Sequence, residues 1–140
     1  MQRALPEEIV VTVDVGAFKL VFLQGWHTDK PKKYLFVANG LSAMAYVIPG
    51  AVGLRLAQPQ RPVLAIAGDG TLLMYAGDLA TDARLGRPLV ILVVVDQALS
   101  LIRLKQLRQE LPVYGTEFNP NDYRALASAF GIEYRLIDQK

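Results

Sequence analysis

The stretch Val63–Gln97, VLAIAGDGTLLMYAGDLATDARLGRPLVILVVVDQ, contains two aliphatic runs, one stopping at Gly68-Asp69-Gly70 and the other at Asp96. Neither run alternates polar with apolar residues, so each reads as a strand covered on both faces, which is the mark of a parallel sheet. The 27 residues separating Asp69 from Asp96 suffice for one helix and one returning strand. Both aspartates then fall at the carboxyl ends of strands, where open parallel sheets collect ligands.

Outward from this stretch the same alternation continues. Ile9–Val13 and Tyr34–Val37 are further apolar runs, and Tyr134–Ile137 is a candidate fifth strand. Helical patterns cover Leu41–Ala57, Tyr75–Leu85, Leu99–Leu111 and Asn121–Phe130, the last with Asn121 as its cap and Gly131 as its stop. Strand and helix alternate throughout, so the expected class is α/β with right-handed crossovers. Pro112–Pro120 is the best loop candidate and is expected to face a site.

At 140 residues the chain reads as one domain, and a composition of 52% hydrophobic and 20% charged residues suggests a filled core together with a covered surface. Self-association or a partner is therefore expected. The net charge is only +2, and the one local basic group, Lys30, Lys32 and Lys33, lacks a stacking platform, so nucleic acid is not expected as a partner. Without cysteine there is no disulfide and no Cys-ligated metal. The N-terminus MQRALPEEIV lacks the apolar core of a signal peptide, and the run Leu89–Val95 is far too short to span a bilayer. A cytoplasmic location and no membrane partner are the expectation.

Asp14, Asp69 and Asp96 each end an apolar run. Glycines flanking Asp69 allow a tight turn and close approach by a ligand, and the helix that follows can offer amides to an anion. A carboxylate beside a diphosphate repels it unless a divalent cation lies between, and hard oxygen ligands suit Mg²⁺. Gly-Asp-Gly alone is no more than a strand-end turn. His27, the only histidine, reads as a surface residue, and Trp26, Tyr114 and Phe118 as packing or interface residues.

Gly68-Asp69-Gly70, Met74, Asp78-Leu79-Ala80-Thr81 and the strand closing on Asp96 together resemble the diphosphate-binding domain of thiamine diphosphate enzymes. Val13-Asp14-Val15-Gly16 is similar to that family's first phosphate-side turn, and Asn39-Gly40-Leu41-Ser42-Ala43-Met44 to its aminopyrimidine-gripping segment. The run Asp96–Arg103 with Gln106 resembles the acetolactate synthase group. The resemblance implies a three-layer thiamine diphosphate-binding fold with a mostly parallel sheet, occupying residues 1–140 as a single domain. It implies Mg²⁺ on the side chains of Asp69 and Asp96 and the carbonyl of Ala98, and diphosphate on amides of Gly70, Thr71 and the Gly16-Ala17-Phe18 turn. The Ser42 carbonyl would meet the 4′-amino group and Met44 would wedge beneath the bent cofactor, with Gly40, Gly68, Leu99 and Leu101 completing the site. No FAD is expected on this chain, and no catalytic acid or base is assigned to it.

By the same resemblance the reaction is decarboxylation of pyruvate, or of another 2-oxo acid, with carboligation to 2-acetolactate. The sequence departs from the family at several points: Ala17 and Phe18 stand where Gln-His is common, Ala45 replaces a frequent glycine, and Asp78 a frequent glutamate. Lys105 stands where enzymes preferring 2-oxobutyrate carry Trp, so pyruvate-only chemistry is expected. The pyrimidine-binding and middle domains, and the family's last helix and edge strand, are expected to be absent from the chain, which would then act in a homo-oligomer or beside a pyrimidine-domain subunit. Two other readings stay open: another thiamine diphosphate-dependent decarboxylase subunit or an inactive binding module, and a receiver-like phosphoacceptor. The phosphoacceptor would need a lysine at a later strand end, and none follows Val95 or Leu136.

Overall fold

The computed structural model describes residues 5–27, 35–86 and 89–138. Four strands, β1 (Val10–Val13), β2 (Leu35–Val37), β3 (Val63–Gly68) and β4 (Leu89–Val94), form one sheet in the order β2-β1-β3-β4, every pair parallel. Val11 lies opposite Leu35, and Val10 opposite Val63. The helices are α1 (Ala17–Gln24), α2 (Val47–Ala57), α3 (Asp69–Met74), α4 (Leu79–Leu85), α5 (Ser100–Arg108) and α6 (Tyr123–Ala129). The expected α/β class and parallel sheet are thus present, with β3 and β4 where the two aliphatic runs place them. Tyr34 and Lys30, Lys32 and Lys33 lie outside the described residues.

Both faces of the sheet are packed at β1 and β3, which is why those strands carry unbroken apolar runs, while Val90 of β4 stays exposed. Val10, Val63, Ala65 and Ala67 pack with Val47, Ile48 and Ala51 of α2, Leu72 of α3 and Leu79 of α4, and Leu126 of α6 lies against them. On the other face Val11, Val13, Leu64 and Ile66 meet Phe18 and Phe22 of α1, and Trp26 stacks on Phe22 with ring centroids 5.1 Å apart. Each Val, Leu or Ile so buried contributes on the order of 1.5–3 kcal/mol. Trp26 is therefore packing. His27 is exposed.

Element boundaries differ from the sequence pattern at places with clear physical causes. Leu41–Tyr46 is not helical, because Ser42 and Ala45 take φ of 51° and 72°; α2 begins at Val47, with Pro49 in its first turn, where the missing N–H costs nothing. The expected helix Tyr75–Leu85 begins earlier and is broken: α3 starts at Asp69, and a single 3₁₀ turn at Ala76–Asp78 separates it from α4. Helix α5 closes at Arg108, where Glu110 adopts φ 54° and the Leu111 N–H donates to the Gln106 carbonyl.

The cap of α6 is Asp122, not Asn121, since its Oδ1 accepts from the Ala125 N–H at 2.9 Å. Asn121 instead donates to the Asn119 carbonyl. Tyr134–Ile137 forms no strand: it has no ladder partner among the described residues, and Leu136 and Ile137 remain exposed, so no burial favours extension. Among the described residues no helix is long and apolar enough to cross a membrane.

Candidate functional site

The parallel arrangement brings the turns after β1, β3 and β4 to one edge of the sheet, with the segment between β2 and α2 beside them. Asp14 directly follows β1, Asp69 opens α3 directly after β3, and Asp96 lies two residues beyond β4. Asp14 is fully buried and Asp69 is 1% exposed, whereas Asp96 is exposed. The two buried carboxylates act alike, since each accepts the N–H of a non-glycine residue held in the left-handed region.

Asp69 Oδ1 accepts from Gly70 N at 2.9 Å, and Oδ2 accepts from Gln97 N at 2.8 Å, with Gln97 at φ 56°. Asp14 Oδ1 accepts from Val15 N at 2.8 Å; Oδ2 accepts from Ala45 N at 2.8 Å and from the Thr71 hydroxyl. A left-handed non-glycine residue costs on the order of 1–3 kcal/mol and persists only where surroundings fix it. A buried hydrogen bond to a carboxylate contributes about 1.5–3 kcal/mol, which is enough to offset it. Sequence reading places Asp14 at a strand end but misses this anchoring role, because its partners lie 31 and 57 residues away.

The Gln97 bond draws Asp96 and Ala98 alongside Asp69. Asp96 accepts from the Ser100 hydroxyl and, at 3.4 Å, from Ala98 N. Among the described residues no three His, Cys, Asp or Glu side chains could hold a metal together. A cation at Asp69 and Asp96 would therefore complete its shell with main-chain, water and ligand oxygens, a donor set that suits a hard ion.

The loop 112–120 returns over the site. Ala98 and Glu117 form an antiparallel bridge, Leu99 N donates to Thr116 O at 2.7 Å, and Phe118 N to Gln97 O at 2.8 Å. The Phe118 ring comes so close to Gly70 that a Cβ there would stand 3.2 Å from it and 3.3 Å from Leu99. Phe118 thus packs on the glycine turn, while Tyr114 is exposed and its backbone is clasped by both ends of the Gln106 amide. Tyr123 is a further neighbour missed by sequence reading: burial, and then the negative charge of Asp69, raise its phenol above the ordinary tyrosine range against a smaller opposing effect of Asn121.

The remaining predicted residues occupy three places. Gly16 precedes α1, which has no side-chain cap, so the amides of Ala17 and Phe18 face an uncapped terminus; the Phe18 ring packs across Gly16 and Gly68. Gly40 and Ser42 are exposed at the rim and Met44 is half-buried next to the anchored Ala45. Leu99 and Leu101 are half-buried at the start of α5. Lys19 reaches Asn39 Oδ1 at 3.2 Å, joining α1 to the segment that carries Gly40.

A family model described as thiamine pyrophosphate enzyme, C-terminal TPP binding domain, matches residues 14–140. The chain is 34% identical over 137 residues to the acetolactate synthase isozyme 2 large subunit of Escherichia coli, covering 96% of this chain and 25% of that protein. It is 28% identical over 131 residues to the catabolic acetolactate synthase of Raoultella terrigena, covering 94% and 23% respectively. It is also 29% identical over 126 residues to the 3D-(3,5/4)-trihydroxycyclohexane-1,2-dione hydrolase of Bacillus subtilis, covering 90% and 20%. The chain thus spans about a quarter of the length of the curated relatives it matches.

Proposed function

Since this chain belongs to the thiamine pyrophosphate enzymes as a C-terminal TPP-binding domain of the acetolactate synthase-like kind, we propose that it holds thiamine diphosphate and Mg²⁺ at the carboxyl edge of its sheet. The hydrogen bond from Gln97 N to Asp69 Oδ2 carries this reading, because it sets the Asp96–Ala98 segment beside the Gly-Asp-Gly turn. Asp69 and Asp96, with the Ala98 carbonyl, would hold the cation. Amides of Thr71 and the Gly16–Phe18 turn would meet the diphosphate, as would Gly70 N on exchanging its bond to Asp69 Oδ1. Ala17 and Phe18 leave only main-chain donors on that turn, so affinity is expected to fall below that of a site with polar side chains there.

Gly40, Ser42 and Met44 would hold the aminopyrimidine, and Leu99 and Leu101 an apolar wall. When bound, the cofactor supplies the electron sink for loss of CO₂ from pyruvate and for carboligation to 2-acetolactate. This chain contributes position and charge, and no acid or base. The glutamate that activates the ring would come from a pyrimidine-binding domain, on another copy or another subunit. Exposed Leu20, Val21, Leu41, Ile102, Leu104 and Leu107 support a covering partner. Similar identity to a dione hydrolase supports, as second reading, a module serving another reaction of the same cofactor.

Calorimetry with thiamine diphosphate and Mg²⁺ tests the site. Binding is expected, weakened more than about tenfold in Asp69→Asn and in Asp96→Ala; no heat at millimolar cofactor would overturn the proposal. The chain alone should not turn over pyruvate, and activity should appear on adding a pyrimidine-domain subunit. Robust acetolactate formation by the chain alone would contradict the need for a partner.

A further inference from the structure

Asp14 is bonded to three segments that the proposed cofactor would touch. Its Oδ1 receives Val15 N, next to the Gly16 turn; its Oδ2 receives both Ala45 N, next to Met44, and the hydroxyl of Thr71 in the turn after β3. All three bonds converge on a side chain with no exposed surface. Ala45 sits at φ 72°, a conformation an alanine leaves unless it is held.

We propose that Asp14 is a positioning residue: it sets the spacing between the ring-holding segment 40–45 and the diphosphate-holding turns, so that the two halves of one cofactor bind as a chelate. This rests on the cofactor-site reading above. A ligand that meets two preset subsites gains affinity over either fragment, and loses that gain when one subsite relaxes. Losing the acceptor for Ala45 N lets the backbone fall back to negative φ and carries Ser42 and Met44 with it. The turn after β3 keeps the bonds that the Asp69 carboxylate accepts from Gly70 N and Gln97 N.

Asp14→Asn keeps the shape but turns one oxygen into a donor, which then faces the N–H of Val15 or that of Ala45, whereas the Thr71 hydroxyl can turn to accept. Titrating the full chain with Mg²⁺ and thiamine diphosphate, and separately with Mg²⁺ and inorganic diphosphate, reads the coupling. The variant should lose roughly tenfold or more in cofactor affinity while diphosphate affinity changes less than about threefold. Adding Ala45→Gly, which suits positive φ, should restore most of the loss. Equal weakening of both ligands, or no change in their ratio, overturns the positioning role while leaving the cofactor site standing; binding of neither ligand by the unsubstituted chain overturns both. Hydrogen exchange on the unsubstituted chain needs no variant to fold: the Ala45 amide should exchange as slowly as β1 amides, and exchange as fast as the exposed Leu41 amide overturns the proposal.

Discussion

At the scale of single residues, close contacts around the two glycine turns decide what can be substituted. A Cβ at Gly16 would stand 2.2 Å from the Phe18 ring, so Gly16→Ala should cost about 1–3 kcal/mol by denaturant unfolding. Combining it with Phe18→Ala should cost less than the two changes added, because the smaller side chain removes the clash; strict additivity would mean that the ring is elsewhere. Tyr123 reports on Asp69 in another way. Its phenol is raised by burial first and by the Asp69 charge second, so Asp69→Asn should lower it, as followed by ultraviolet titration of the phenolate. A raised phenol means that the folded state keeps its proton longer. Its contribution is full below the ordinary tyrosine value and is lost as pH rises through the folded one, and Asp69→Asn should narrow that alkaline window.

At the scale of elements, the starts and stops of helices depend on single side chains and on φ. Helix α6 is short, with Asp122 as its N-cap, so Asp122→Ala should destabilise it by about 1 kcal/mol and speed exchange of the Ala125 amide. Asn121→Ala should do less, since that side chain accepts from no helix amide and donates to the Asn119 carbonyl, outside the helix. Equal effects would place the cap at Asn121 after all. In α2 the buried residues Val47, Ile48, Ala51, Val52 and Arg55 lie on one face, which fixes the helix against β3 and thereby the position of the Ser42–Ala45 turn that precedes it.

At the scale of the whole molecule, ligand binding and folding are linked. If cofactor binds only the folded chain, Mg²⁺ with thiamine diphosphate at 100 times its dissociation constant should add about 2.7 kcal/mol and raise the melting temperature, and chelation of the metal should reverse it. Thiamine with Mg²⁺ should leave the melting curve nearly unchanged, because the diphosphate is what meets the turns. An equal shift with thiamine alone would argue against the diphosphate-centred site.

The sheet and the edge that matters were legible in the order of residues. Aliphatic runs with no alternation can be buried only between two layers, and the turn residues and aspartates at their ends follow from where the runs stop. The glycine turns, the Asp69–Asp96 spacing and the family could be read for that reason. How those ends are joined was settled by packing in three dimensions. That Asp14 accepts from Ala45 N and Asp69 from Gln97 N, that Ala45 and Gln97 are so held at positive φ, that Tyr123 feels the charge of Asp69, and that Tyr134–Ile137 pairs with no strand all depend on segments distant in sequence. Periodicity records which face of an element is buried. Hydrogen bonds between loops depend on where the packed sheet delivers their ends.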